Sequence, residues 1–146
     1  MRFLITAGPD TSDAKPRPDA PFDEKMFAAY MKYNEDMHKA GVLITTEGLN
    51  PSGARARVAV SGGKRTIIDG PFAETKELLG GFYLIEVASK AEAIAWALRC
   101  PVGLGTDDVL EIYEMTEIAD LPQPIQDAIA AAAPTWSASV AKPRGR

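Results

Sequence analysis

The sequence predicts an α+β fold in which an antiparallel sheet carries two helices on one face. Three observations lead there: short runs alternating with a period of two near both ends of the main body, two capped stretches with helical spacing between them, and no apolar run approaching the roughly 20 residues of a membrane-spanning helix. A chain of 146 residues, 46% hydrophobic and 25% charged, suits one globular domain. A core of that size buries roughly 68 to 70% of the unfolded chain's surface.

Arg2 to Thr6 places Phe3 and Ile5 on one face and is stopped by Gly8-Pro9, the pattern of a first strand. Thr11 to Pro21 holds Pro16, Pro18 and Pro21 and reads as a loop. Asp23 caps a helix in which Met26, Phe27, Tyr30, Met31 and Met37 recur at helical spacing, with Lys39 in the last turn and Gly41 beyond. Its methionines and aromatics read as core, with Tyr30 or Tyr33 lining a cleft. Val42 to Thr46 is a second strand, broken by Asn50-Pro51-Ser52-Gly53. Arg57 to Val60 and Arg65 to Asp69, joined by Ser61-Gly62-Gly63-Lys64, predict a hairpin, because paired glycines take the positive φ of a tight turn.

Phe82 to Val87 is the next strand. Ser89 with Glu92 forms a capping-box pattern that opens a second helix carrying Ile94, Ala95 and Leu98 and ending at Pro101. Gly103 and Gly105 mark a loop, and Val109 to Met115 closes the main body as a strand. Without the hairpin the order is βαββαβ, which builds an antiparallel sheet with both helices on one face. In Phe82 to Val87, Phe82 and Leu84 oppose Tyr83, Ile85 and Val87, so both faces are apolar while the helices cover one. A second subunit is the expected cover for the other face. Pro124 starts a short helix bearing Ile125 and Ile129, ahead of Pro134 and Trp136, and this arm is expected to pack on the dimer. The main body is thus residues 1–118 and the extension 119–146.

A net charge of -4 argues against a nucleic-acid surface, since phosphate binding needs clustered basic residues. Lys142, Arg144 and Arg146 read as a solvated terminus. The start, Met1-Arg2-Phe3-Leu4-Ile5, has no long apolar segment followed by small residues, so a cytoplasmic location and no membrane partner are expected. Cys100 has no second cysteine to pair with and reads as a small buried hydrophobe. One histidine and one cysteine far apart in sequence make no metal site, and no cofactor is expected.

The segment with chemical potential is Asp69-Gly70-Pro71-Phe72-Ala73-Glu74-Thr75-Lys76-Glu77, closed by Gly80-Gly81-Phe82-Tyr83. A carboxylate and an ammonium held against an apolar sheet face can have displaced pKa values and move protons at neutral pH, whereas the same charges on a solvated turn form only weak ion pairs. No arrangement of nucleophile, base and orienting group is visible. Arg55 and Arg57 share a face of the hairpin, which suits an anion or guards an edge strand.

That run, with Gly80-Gly81-Phe82-Tyr83-Leu84-Ile85-Glu86 after it, resembles the defining signature of the DGPF branch of the YCII-related family. Ala40-Gly41-Val42-Leu43 leading to Glu47-Gly48-Leu49, and Ala93-Ile94-Ala95-Trp96-Ala97 ending at Cys100-Pro101, also resemble the family pattern, so the resemblance runs from Met1 to about Met115. It implies a small bacterial protein with a ferredoxin-like fold that dimerises through its sheets as a dimeric α/β barrel. For activity it implies enzymes of aromatic or lactone substrates whose catalytic pair is a histidine on the first helix and an aspartate. Here the only histidine, His38, lies near the helix end, while the family's belongs about where Ala29 and Tyr30 stand. His38 is read as a surface residue suited to the helix carboxyl end. Asp69 matches the signature aspartate and is carried over as the candidate catalytic residue, with Glu74, Lys76, Tyr83 and Tyr30 as candidate substrate-binding residues. Two readings stay open: a binder or enzyme for a small organic molecule, with carboxylate acid/base chemistry, and a non-catalytic regulatory or sensing dimer, for which the resemblance implies a context linked to extracytoplasmic-function sigma factors.

Overall fold

The computed structural model describes residues 1–7, 23–49, 56–69, 80–101 and 109–141. In chain order these form β1 (Arg2–Ala7), α1 (Glu24–Lys39), β2 (Leu43–Gly48), β3 (Ala56–Ser61), β4 (Lys64–Asp69), β5 (Gly81–Glu86), α2 (Lys90–Ala97), β6 (Leu110–Glu114), α3 (Gln123–Ala132) and α4 (Pro134–Ala141), with a single 3-10 turn at Ile118–Asp120. The expected loop at Thr11 to Pro21, the break at Asn50 to Gly53, the Gly103 and Gly105 loop, and the basic residues from Lys142 onward lie outside the described residues.

Four strands make one sheet in the order β2-β5-β1-β6, and each neighbouring pair is antiparallel. With the hairpin set aside, the βαββαβ chain therefore places its second, third, first and fourth strands side by side, which is the ferredoxin-like arrangement. Central β1 fixes the register, pairing Phe3 with Ile85 and Ile5 with Tyr83 on one side, and Phe3 with Glu114 and Ile5 with Ile112 on the other. Residues directly opposite in such pairs share a face. Phe3, Ile5, Tyr83 and Ile85 thus form one apolar layer, and Tyr33 and Met37 of α1 with Ala93 and Ala97 of α2 bury against it in a single core. Both helices consequently lie on the same side of the sheet.

Local signals explain the helix boundaries. Asp23 accepts the Met26 amide at 2.9 Å, and His38 and Lys39 stand in the last turn of α1. Ser89 accepts the Glu92 amide at 3.2 Å, while the Glu92 carboxylate reaches back to the Ala88 amide, one residue beyond the N-cap amide of a standard capping box. Gly62 and Gly63, at φ 57° and 76°, close the β3-β4 hairpin. Gly81 is required for a different reason: a Cβ there would lie 2.9 Å from the Glu47 carbonyl oxygen.

One expectation needs correction, and two further features of the helices were not anticipated. On α1 the buried residues are Tyr33 and Met37, while Phe27 and Met31 are exposed, because the face turned to the sheet runs through Met26, Tyr30, Tyr33 and Met37. On α2, Ile94 and Leu98 point outward, Leu98 being 82% exposed. The helix meets the sheet instead through Ala93 and Ala97, whose small side chains permit close approach. At the carboxyl end Pro134 opens a further helix, α4.

The opposite face of the sheet carries Leu4, Thr6, Phe82, Leu84 and Tyr113, by register with one another. Its middle is half-buried, with Tyr113 exposed. No described helix is long and apolar enough to cross a membrane.

Ile85 is fully enclosed, so Ile85→Ala should lower unfolding free energy by about 2–5 kcal/mol through lost transfer energy and a residual cavity. Leu98→Ala, on the solvent side of α2, should stay within about 0.5 kcal/mol of the parent. Urea unfolding of the two variants distinguishes this core from one in which α2 packs through its large residues.

Candidate functional site

Between α1 and the β2-β5 half of the sheet lies an aromatic seam containing most of the polar groups of the core. Tyr83 on β5 and Tyr33 on α1 are both buried and meet edge to face, ring centroids 5.3 Å apart at 80°. Tyr33 also approaches Trp96 at 6.4 Å, and its hydroxyl donates to the Trp96 carbonyl at 2.9 Å, so α1 is tied to α2 through a buried phenol. Cys100, a free and buried thiol, lies near both phenols. The expectation of a buried rather than exposed cysteine holds. Thr46, opposite Tyr83 across the β2-β5 ladder, donates to the Phe82 carbonyl at 3.0 Å.

Burial, first, and then the neighbouring Cys100 push the Tyr33 and Tyr83 hydroxyls well above the usual tyrosine range, with the Tyr33–Tyr83 proximity adding for Tyr33 and Tyr30 adding for Tyr83. Arg99 opposes this slightly at Tyr33, and a side-chain hydrogen bond with Thr46 does so at Tyr83. Both phenols are neutral donors at physiological pH rather than proton-transfer groups. Tyr30, one turn before Tyr33, is half-buried on the same side of α1.

Asn34 is the residue that sequence reasoning missed. Its Oδ1 is buried and has no hydrogen-bond partner, although it lies one turn past Tyr30 on the same side of α1. A buried acceptor without a donor costs about 1–3 kcal/mol, so native proteins rarely leave one unmet without a role for it. In the sequence an asparagine within an amphipathic helix reads as solvent-facing, and nothing signals its burial.

The far side of the seam is locked by charge. Arg99 stacks over the Trp96 ring, 4.2 Å from its centroid, and bonds Asp36 at 3.0 Å; Lys32 bonds the same carboxylate oxygen at 2.6 Å. The Lys32 hydrogen bond is the main reason that the Asp36 carboxyl sits below the usual range, with Arg99 adding and partial desolvation opposing.

The structure brings together Tyr30 and Tyr83 among the candidate residues. Asp69 is placed only as backbone, as the last residue of β4 paired with Ala56 at the base of the hairpin. Glu74 and Lys76 lie outside the described residues, as does Arg55, whereas Arg57 is exposed on β3. Among the described residues no group of three or more His, Cys, Asp or Glu side chains could hold a metal ion.

Comparison with known proteins adds lineage to this geometry. The family model for the YCII-related domain matches residues 1–119. An uncharacterized protein of Rhizobium meliloti (strain 1021) is 41% identical over 75 residues, 51% of this chain and 60% of that protein, so the match spans less than two thirds of the relative's length. Among solved structures, 5-chloro-2-hydroxyhydroquinone dehydrochlorinase from Burkholderia phenoliruptrix, in complex with 2,5-dihydroxybenzoquinone, is similar at 18% identity and a TM-score of 0.40, over 80% of this chain and 96% of that one.

The raised phenol pKa values have a thermodynamic consequence. A group whose folded pKa exceeds its unfolded value of about 10 contributes its full stability below that pH and loses it as pH climbs through the folded pKa. Stability should therefore fall between about pH 9.5 and pH 11.5 more steeply in the parent than in Tyr33→Phe or Tyr83→Phe. Tyr33→Phe should also cost about 0.5–1.5 kcal/mol at neutral pH through loss of the bond to the Trp96 carbonyl. Urea midpoints measured across that range check both statements.

Proposed function

This chain belongs to the YCII-related domain family, and from that premise we propose that it binds a small, ring-bearing organic molecule at the Tyr30, Asn34 and Tyr83 end of the seam between α1 and the sheet. The observation that carries the reading is the orphaned Asn34 Oδ1, a buried acceptor beside aromatic rings that calls for a hydroxyl or N–H donor from a ligand. Flat aromatic walls with a few fixed polar groups are the usual make-up of such a site. Tyr30, at the open end, supplies the ring against which the ligand stacks.

In this reading Asp69 is the acid/base group, and Glu74 and Lys76, next along the signature segment, set its charge and contact the ligand's polar edge. The functional unit is a cytoplasmic homodimer paired through the sheet face that bears Leu4, Phe82, Leu84 and Tyr113, with residues 1–118 carrying the site and 119–146 an extension on the dimer. Its support is the apolar character of both sheet faces and the location of both helices on one of them.

A panel of phenols, hydroquinones, quinones and lactones tested by thermal shift should yield at least one stabilising compound, since a ligand at a hundredfold excess over its Kd contributes about 2.7 kcal/mol. Asn34→Ala should leave the free protein as stable as the parent, or more so, because the unmet acceptor is gone, and should abolish the ligand shift. Asp69→Asn should retain binding and lose turnover. A panel without a single shift, or an Asn34→Ala protein that binds as the parent does, removes the reading.

A further inference from the structure

The β3-β4 hairpin stands apart from the four-stranded sheet. Its two strands take their main contact from each other. A lone two-stranded ribbon is marginal in water. By its register, Val58, Val60, Arg65 and Ile67 share one face, and the three apolar side chains there are 69%, 69% and 73% exposed. A contiguous β-branched stripe this open marks a contact surface rather than a solvated one.

Charge indicates what it meets. Along β3 and β4 the charged residues are Arg57, Lys64, Arg65 and Asp69, and the register puts Arg65 among the valines and isoleucine of the stripe, Asp69 at the base of that face, and Arg57 and Lys64 on the other face. The sheet face away from the helices has the opposite balance. Its register places Glu47, Glu86 and Glu111 around Leu4, Thr6, Phe82, Leu84 and Tyr113, and its one cation, Arg2, is paired with Glu117 at 3.4 Å. Edge strand β6 brings the acidic and apolar characters together, with exposed Tyr113 donating to Glu111. One chain thus carries an apolar stripe with Arg65 toward its tip and, in a separate sheet, an acidic apolar margin.

We propose that the hairpin is an arm that reaches to a second copy of this chain and lays its Val58, Val60, Arg65 and Ile67 face on the β6 margin of the partner's sheet, with Arg65 against Glu111. The proposal rests on the sheet-paired dimer described above and adds the element that clasps it. The arm buries its stripe, the partner's edge strand gains a cover, and like charges at either surface disfavour the reverse arrangement.

Sedimentation of the full-length protein over a concentration series tests this. Val58→Asp combined with Ile67→Asp should raise the dimer dissociation constant about tenfold or more, as expected for a charge placed in a desolvated contact. Circular dichroism should be unchanged, because both side chains are exposed in the single chain. Arg65→Glu and Glu111→Lys should each weaken the dimer, and the two together should restore it. A dimer unaffected by the aspartates, or single charge reversals that the double variant does not rescue, overturns the arm and leaves the sheet dimer standing. A parent protein that is monomeric throughout overturns both.

Discussion

The structure depends on the pairing of β1 with β5 at the centre of the sheet. These strands set Phe3, Ile5, Tyr83 and Ile85 on one face and Leu4, Thr6, Phe82 and Leu84 on the other. Their registry is strongly specified, because a slip of one residue would exchange the two sets. The inner set is fully claimed by α1 and α2. The outer set lies on the side of the sheet away from α1 and α2, so the demand that made the first core is repeated on the far side. The proposed dimer and its clasping hairpin are both answers to that second demand.

Placing two helices on one four-stranded face creates a problem of fit. The chain solves it asymmetrically. Over β1 and β6, α2 descends on alanines and makes close contact. Over β2 and β5, α1 stands on the bulkier Tyr33 and Met37. The larger gap under α1 is filled with phenols rather than aliphatic side chains, and phenols bring hydroxyls that need partners. The Trp96 carbonyl and Thr46 satisfy two of them. The Asp36, Arg99 and Trp96 group then pins the far side of the same helix. A helix held firmly on one flank, with an unmet acceptor on the other, has the rigidity a binding cleft requires and the vacancy a ligand can fill.

Much of this architecture was legible in the residues. Period-two runs located the strands, Asp23 and Ser89 located the helix starts, and Gly62-Gly63 located the hairpin, because each signal is local and acts through backbone geometry. Which helix face turns inward was less legible. Ile94 and Leu98 look like core by hydropathy, but the separation of α2 from the sheet selects Ala93 and Ala97, and separation is a tertiary quantity. In the candidate site, Tyr30 and Tyr83 were visible as aromatics at core spacing. Asn34 was not, because the loss of its water depends on neighbours that sequence spacing does not name.

The hairpin and the signature segment are linked in a way that joins assembly to chemistry. Both lie between β2 and β5, which are neighbours in the sheet, so the chain leaves and re-enters the domain at one point. Gly48 pairs with Gly81 there, the Leu49 amide bonds the Gly80 carbonyl at 2.8 Å, and the close approach of Gly81 to the Glu47 carbonyl tolerates no side chain. A second junction, Ala56 with Asp69, closes the base of the hairpin. Asp69 is thus the last residue of the arm as well as the first of the signature. If the arm is held by a partner subunit, the backbone at Asp69 is positioned by that contact. Pairing of chains would then be part of building the site, with the entropy of ordering the arm met by burial of its valines and isoleucine rather than by the ligand.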